Sequence, residues 1–588
     1  MAPSSWRDET HDVEIVVDPS YDDIDFTTLP GEPFCIAVDV ETCEDNPDKM
    51  HLASGHLRIV GFTFDGKKVY LLRVLEYSHA IDTLFDVVRE CLSREAQWIL
   101  HNSQFDLAYL AAYLGNLYTG PNATLAITPK HLKDTRLLER ALYANWYKAF
   151  GLRALVARRF DVVLDKDVRS EFTKMTRDDA ITDEQLHYAA LDVAFTRRVY
   201  SEQRVEFERA GKELRQAAYL DARTQWSTLH FAPAPVAAKL WDANAKRVLA
   251  ELEIAARKVP VKASSPKQVL AWLQKLGVPV KSTNAKDLKA LAPQWSQIRD
   301  LLEVRRLTKL ATSYGEAWLA RFVDEQGYVR PSYNVYAADT SRWGCNDPNL
   351  QNIPRGEYRK LFVAPEGYSW VIADYSQQEV WIAAYKANDQ RLMSLLRTGD
   401  VYTEIGRLIY RDPAMGKSDK RRQLAKSAVL GLLYGLTPRG MAKNQGITEA
   451  AAQDIFTSIK REFPMLWRYI HDHAQAYKDG FVKTQLGHRY WLNLFSWNWG
   501  NNAANSPVQG TGADMVKLAV CEYTEKRPRE ISLVVHDEIA ALVETRFAPE
   551  AAALLEKCMA DAFEACLPGA NNPRPAVAHI GATWADKE

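Results

Sequence analysis

No C-x-x-C pair occurs in the 588 residues, and the seven cysteines are scattered from Cys35 to Cys566. That spacing offers neither a disulfide framework nor a thiolate zinc site, and it fits a reducing compartment. Long apolar runs are missing as well; none approaches the roughly 20 residues that span a bilayer. The N-terminus is acidic and carries no apolar signal core, so export is not indicated and a cytoplasmic location is expected. Net charge is nearly absent, at −1, which by itself argues neither for nor against a polyanionic partner. The chain contains no internal repeat and no low-complexity tract, which removes repeat arrays from consideration.

What is present is ordinary soluble composition, 47% hydrophobic and 25% charged, in a chain long enough for more than one domain. The charge is unevenly spread. Residues 257–309 hold twelve Lys and Arg against three Asp and Glu, a local net of +9. Such a patch is the footprint of a polyanion partner, although a solvated helical surface has the same composition.

Residues 1–30 read as an acidic tail or edge segment. "PFCIAVDVET" reads as a buried strand ending in acids, and "RIVGFTFDGKKVYLL" as a hairpin with a two-residue turn at Asp65-Gly66. Strands alternate with helical patterns to about residue 205, which predicts an α/β domain. Residues 206–330 are mostly helical, with breaks near Pro233, Pro260 and Pro279. Strand signals return at Tyr328, long helices are predicted from about 386 to 485, and "ISLVVHDEIAALVE" closes a second sheet. A helical block interrupting a sheet predicts an inserted subdomain beside a catalytic sheet.

Two groups of acids carry the chemistry. In "VDVET", the alternation of a strand points Asp39 and Glu41 to one side. "HNSQFDLAYL" adds Asp106, and "YAALDVAFT" adds Tyr188 and Asp192 at i, i+4 on one helical face. Clustered carboxylates repel unless a cation joins them, and hard oxygen donors suit magnesium or manganese. The second group comprises Asp374, at the end of the apolar run in "WVIADYSQQE", and Asp537 and Glu538, at the turn in "LVVHDEIAALV". A carboxylate at the tip of each of two neighbouring strands makes a two-metal site for phosphoryl transfer. Between these lies "RRQLAKSAVLGLLYG", where Arg422, Lys426, Leu430 and Tyr434 recur at i, i+4 and form one helical stripe.

The first group, with Asn102 and "KDTRLLERAL", resembles the proofreading 3′→5′ exonuclease domain with an RNase H-like fold. By that resemblance Asp39, Glu41, Asp106 and Asp192 hold two metals and Tyr188 orients the attacking water. The motifs "DTSRWGCNDPNLQNIPRGEYRKLFVAPEGY", "ADYSQQE", "RRQLAKSAVLGLLYG", "NSPVQGTGAD" and "VHDE" occur in the order of family A DNA polymerases, which the chain resembles from about residue 30 to its end. "SSPKQVLAWLQKLGVP" and "LLEVRRLTKLATSYG" resemble the thumb of that family.

The resemblance implies an α/β and α+β multidomain chain, with the RNase H-like exonuclease at 31–205 and a right-hand polymerase at 206–588. The thumb falls at about 240–327, the palm at about 328–385 and 486–588, and the fingers at about 386–485. It implies two Mg2+ at each site, with Mn2+ as a substitute, and it implies primer-template DNA and deoxynucleoside triphosphates as partners of a monomer. Asp374, Asp537 and the carbonyl of Tyr375 would hold the polymerase ions, with Glu538 nearby. Gln377, Glu379, Arg422, Lys426, Leu430 and Tyr434 would meet the nucleotide. Glu379 would crowd a 2′-hydroxyl. Thr340, Arg342, Asn352, Asn505, Gln509 and His536 would meet DNA.

Three positions depart from the family pattern. Leu430 stands where an aromatic residue is usual, Tyr402 where bacterial enzymes carry a histidine, and Asn501 where they carry an arginine. No stretch resembles a 5′-nuclease domain, and the compact form resembles phage enzymes; a repair or gap-filling role is the alternative to replication. A single-subunit RNA polymerase, a scaffold with dead sites, and a nuclease with a DNA-gripping C-terminal half are the competing readings. Intact acids in both groups, together with Glu379, oppose them.

Overall fold

The computed structural model describes residues 4–44, 55–114, 127–164, 167–172 and 174–587. The N-terminal half is built on a seven-stranded mixed sheet. Its strands are β1 (Ser4–Asp8), β2 (Val13–Val17), β3 (Cys35–Glu44), β4 (Gly55–Thr63), β5 (Lys68–Arg73), β6 (Gln97–Leu100) and β7 (Leu132–Asp134), in the spatial order β1-β2-β5-β4-β3-β6-β7. The first strands are therefore the sheet's edge and not a tail. The β4–β5 hairpin forms as expected, but its connection is the four residues 64–67. Asp65 Oδ1 accepts the amides of Lys67 and Lys68 at 2.8 and 2.9 Å, and Gly66 takes φ +76°. This Asx-type closure replaces the two-residue turn.

The pleat of β3 decides where its acids go. Ile36, Val38 and Val40 enter the core on one face, with Phe62 and Trp98. Cys35, Ala37 and Cys43 enter the core on the other, with Ala190 and Val193. Asp39 and Glu41 belong to this second set, the face covered by helix α2. Helix α1 (Gln104–Leu114) follows β6, and α2 (Asp183–Ala210) starts at a Thr182/Gln185 capping box. It runs past the expected boundary at 205 to Ala210, where Gly211 at φ +98° breaks it before α3 (Lys212–Thr228).

Two helices, α4 (Ala238–Ala256) and α5 (Ser296–Tyr314), pack against each other. Between them, Val259, Val269, Leu273, Leu288, Ile298 and Leu301 make a small separate core. The basic stretch 257–309 wraps this core, with Lys258 paired to Asp300 and Arg306 to Glu303.

The second sheet contains β8 (Tyr368–Tyr375), β9 (Ile531–Val535), β10 (Glu538–Glu544) and β11 (Ala576–Gly581), in the order β9-β10-β8-β11. Between β8 and β9 lie α6 (Gln378–Lys386), α7 (Lys420–Leu433) and α8 (Trp499–Lys526); α9 (Ala548–Cys566) follows β10 and packs with α8. The long helices expected over 386–485 are instead short, none exceeding fourteen residues. Gly446 and Gly480 end helices in the left-handed conformation, and Pro438 and Pro464 start others, so stop and start signals divide the block. The 28-residue α8 lies outside it. No helix among the described residues is long and apolar enough to cross a membrane.

Candidate active sites

The first site forms where β3 meets α2. One carboxylate oxygen each of Asp39, Glu41 and Asp192 lies within 4.8 Å of the others. Asp106, buried on the first turn of α1, accepts the amide of Val40 at 3.2 Å, between the two β3 acids. Tyr188 stands one turn before Asp192. Burial, followed by the charges of Asp192, Glu41 and Asp39, drives its phenol well above the usual range. The phenol therefore keeps its proton and can only offer it as a hydrogen bond. Asn102, at φ +72°, holds Arg136 through its Oδ1 at 2.7 Å. An all-oxygen cluster with three converging carboxylates is chemically suited to hard divalent cations.

The second site lies at the adjoining ends of β8 and β10. Asp374 is the register partner of Glu538, and the two-residue turn His536-Asp537 places Asp537 beside them. Burial and the Asp374 charge push Asp537 up to about 6. A carboxylate whose proton affinity is raised by a neighbouring carboxylate is suited to a divalent cation. Glu538 is buried and fully engaged. Arg359 approaches one oxygen at 3.2 Å, Trp584 Nε1 donates to it at 2.7 Å, and Lys587 Nζ reaches the other at 2.8 Å. The same ammonium lies 2.7 Å from Asp374 Oδ2.

Beside this site the stripe on α7 is intact. Arg422 grips Asp400 with two bonds, at 2.7 and 2.9 Å. The Tyr402 ring lies 5.7 Å from the Arg422 guanidinium and 5.3 Å from Lys426 Nζ. Leu430 is half-buried against the main core. Tyr434 ends the helix and donates to Glu379 Oε1 at 2.7 Å.

Residues 238–586 match the sequence profile described as DNA polymerase family A, and residues 26–207 match one described as a 3′-5′ exonuclease. The chain belongs to DNA polymerase family A. The DNA polymerase I of Aquifex aeolicus is 30% identical over 78% of this chain and 83% of that protein. Those of Chloroflexus aurantiacus and Pseudomonas aeruginosa are 31% and 33% identical over 48% and 47% of this chain; the chain spans only 32% and 33% of their lengths. A solved structure titled the POL domain of Pol1 from M. smegmatis, in complex with DNA primer-template and dNTP, shares the fold at a TM-score of 0.78. It is 22% identical, with 95% of this chain and 97% of that one covered.

In this family A chain, the remaining expected residues divide into two groups. Arg342 joins Tyr434 on Glu379 Oε1 at 2.7 Å. Thr340 and Gln509 are 3.5 Å apart, and Asn505 on the same face of α8 has a buried, unpartnered Oδ1. His536, at φ +60°, has its pKa lowered by burial, then by Arg342, Arg355 and Arg359. Gln377 caps α6 in the left-handed conformation and ties it to Gly399 and Val401. It thus positions the Asp400 turn. Asn352 stands apart from these, in an open cleft with Tyr314 and Trp318.

Sequence reasoning missed Lys587, Arg359, Trp584 and Asp400. Lys587, Trp584 and Asp400 lie outside the motifs that resemble the family; Arg359 lies within the 339–368 motif, where its sequence neighbours give no sign of its partner. The buried or clustered charges they meet, on Asp374, Glu538 and Arg422, were the only signal that such partners must exist.

Proposed function

We propose that the chain extends DNA primers on a template with deoxynucleotides at the β8–β10 site and removes mispaired 3′ ends at the β3–α2 site. The observation that carries this reading is the presence of two separate carboxylate centres, each on its own sheet, in one family A chain. At the polymerase site Asp374, Asp537 and the Tyr375 carbonyl would hold divalent cations, which supply Lewis acidity to a phosphoryl transfer. At the exonuclease site Asp39, Glu41, Asp106 and Asp192 would do so. Magnesium is the proposed ion, with manganese able to replace it.

The protein's own groups supply the rest. Arg422 and Lys426 present fixed positive charge to the triphosphate, with Arg422 exchanging Asp400 for phosphate. Glu379, pinned by Arg342 and Tyr434, fills the space beside the sugar. Glu538 acts as a support, because its oxygens are already taken by Arg359, Trp584 and Lys587. Thr340, Arg342, Asn505, Gln509 and His536 face minor-groove acceptors that all base pairs share, which tests pair shape without reading sequence. The thumb's basic stretch contacts duplex phosphates, so binding weakens with salt. Tyr188 orients the hydrolytic water through its retained proton.

The test is primer-template with magnesium and either deoxy- or ribonucleotides. Deoxynucleotide extension is expected, with 3′ shortening when nucleotides are withheld. Asp374→Ala should abolish extension and spare digestion, and Asp39→Ala should do the reverse. Loss of both activities from either change in folded protein would overturn the two-site reading.

A further inference from the structure

Residues 491–499, "WLNLFSWNW", link the hairpin Phe481–Lys483/Arg489–Trp491 to α8. Both ends of this linker are fixed. Trp491 Nε1 donates to the Leu142 carbonyl at 2.7 Å, its own carbonyl accepts from Asn145 at 2.8 Å, and its ring packs on Trp146. Trp499 packs against the rings of His473 and Tyr477 at 5.8 Å each. Two residues on, the Asn501 amide fills the space over Gly435, where an added Cβ would come within 2.3 Å of its Nδ2. Gly435 directly follows Tyr434, so the far end of the linker touches the nucleotide stripe.

Between these anchors the tip is ordered by its own hydrogen bonds, with Ser496 N donating to the Asn493 carbonyl at 2.9 Å and Trp499 N to the Ser496 carbonyl at 3.2 Å. Yet it holds two large rings wholly in solvent: Phe495 is 102% exposed and Trp497 92%. Trp146 and Tyr477, each 59% exposed, continue the patch on either side. Held apolar rings of this size mark a binding surface. No acid occurs between Gly480 and Ala513, whereas Lys483 and Arg489 do, so nothing on the segment repels phosphate.

We propose that the 492–498 loop is a stacking platform for the unpaired template strand, with Phe495 and Trp497 taking successive bases. Exposed rings over an acid-free, amide-rich backbone are the chemistry of sequence-independent single-strand binding. Continuity with Asn501 and Gly435 puts the platform beside the stripe that the polymerase reading gives to the incoming nucleotide and its template base. This inference rests on the polymerase reading above.

The test compares wild type with the double variant Phe495→Ser/Trp497→Ser on primer-templates with a one-nucleotide or an approximately ten-nucleotide template overhang. The variant should bind the long overhang about ten-fold more weakly and the short one equally well. Wild type should quench 2-aminopurine placed in the overhang, and the variant should not. Equal affinities on both substrates, equal losses on both, or wild-type self-association abolished by the variant would each overturn the platform, the last pointing to a second copy as the occupant. Wild-type extension of the short-overhang template separates the two readings. Extension without an overhang effect removes the platform alone, whereas no extension removes the polymerase reading and the platform with it.

Discussion

The hydroxyl of Tyr434 and the guanidinium of Arg342 donate to the same atom, Glu379 Oε1, each at 2.7 Å. Tyr434 ends α7 and Glu379 lies on the first turn of α6, so one carboxylate oxygen joins the two helices and Arg342. Deleting the carboxylate should free both partners and open the space beside the sugar. Glu379→Ala should raise ribonucleotide incorporation relative to deoxynucleotide by about ten-fold or more. Tyr434→Phe, which removes one charge-assisted bond worth roughly 1.5 kcal/mol or more, should shift that ratio only a few-fold. Single-turnover incorporation of matched ribo- and deoxynucleotides measures both.

Lys587 offsets Asp374 and Glu538 together. Lys587→Met should leave Asp374 and Asp537 in uncompensated repulsion, and should raise the Asp537 proton affinity further. Because Asp537 sits at about 6, the variant's stability loss should be larger at pH 8, with both acids charged, than at pH 5, with Asp537 protonated. Urea midpoints at the two pH values test this. An equal loss at both would show that Lys587 contributes packing only.

The same titration bears on cation binding. Asp537 binds a proton more tightly in the folded protein than its ordinary value of 3.8, so native stability from this group is highest in acid and falls as pH rises through about 6. A divalent cation must displace that proton, so Mn2+ affinity at the polymerase site should climb with pH up to about 6 and then level. Asp374→Asn should move that midpoint down. Mn2+ titration by electron paramagnetic resonance, in an Asp39→Ala background, reads it without any turnover.

Arg359 and Glu538 form a buried pair in which the guanidinium also lies 4.2 Å from the Trp584 ring. Arg359→Ala strands part of a buried charge and should destabilise by about 3–5 kcal/mol. Arg359→Lys should lose less, because it keeps the charge while giving up the planar fork. Chemical denaturation of the three proteins gives the order.

His488 is buried between Asp221 Oδ2 at 2.9 Å and Asp514 Oδ1 at 2.7 Å, and Lys517 reaches the other Asp221 oxygen at 2.6 Å. Burial opposes the imidazolium, but the two aspartates prevail and raise His488 from 6.5 to about 9. A raised histidine stabilises fully below its unfolded value, and that stability drains away as pH rises through the folded one. Stability should therefore decline between pH 6.5 and 9, and His488→Gln should flatten the decline.

The parts of this molecule that were legible in its sequence are those set by local periodicity. Alternation along β3 was enough to pair Asp39 with Glu41, and i, i+4 spacing was enough to align Tyr188 with Asp192 and Arg422 with Lys426. The carboxylate at the tip of "WVIADY" was readable because an apolar strand ends there. Partners drawn from distant segments were not readable. Arg359 meets Glu538 across 179 positions and Asp221 meets Lys517 across 296, and no spacing rule reaches that far. The split of residues 386–485 into short helices had a local signal, in Pro438, Gly446, Pro464 and Gly480, which the apolar pattern of the block concealed.

The N-terminal part of the chain is bonded to the C-terminal part at half-buried Trp491, and a fully buried ion pair ties α8 to α3. Trp491 is bonded to Leu142 and Asn145, and the fully enclosed Lys517 of α8 is paired with Asp221 of α3. A hinge at such places would have to expose charge to an apolar surround. On the proposed function, a primer end would have to cross between the two carboxylate centres by unpairing from its template. Error correction by this chain would then depend on how easily the last base pairs melt, and it should quicken with terminal mismatch and with temperature.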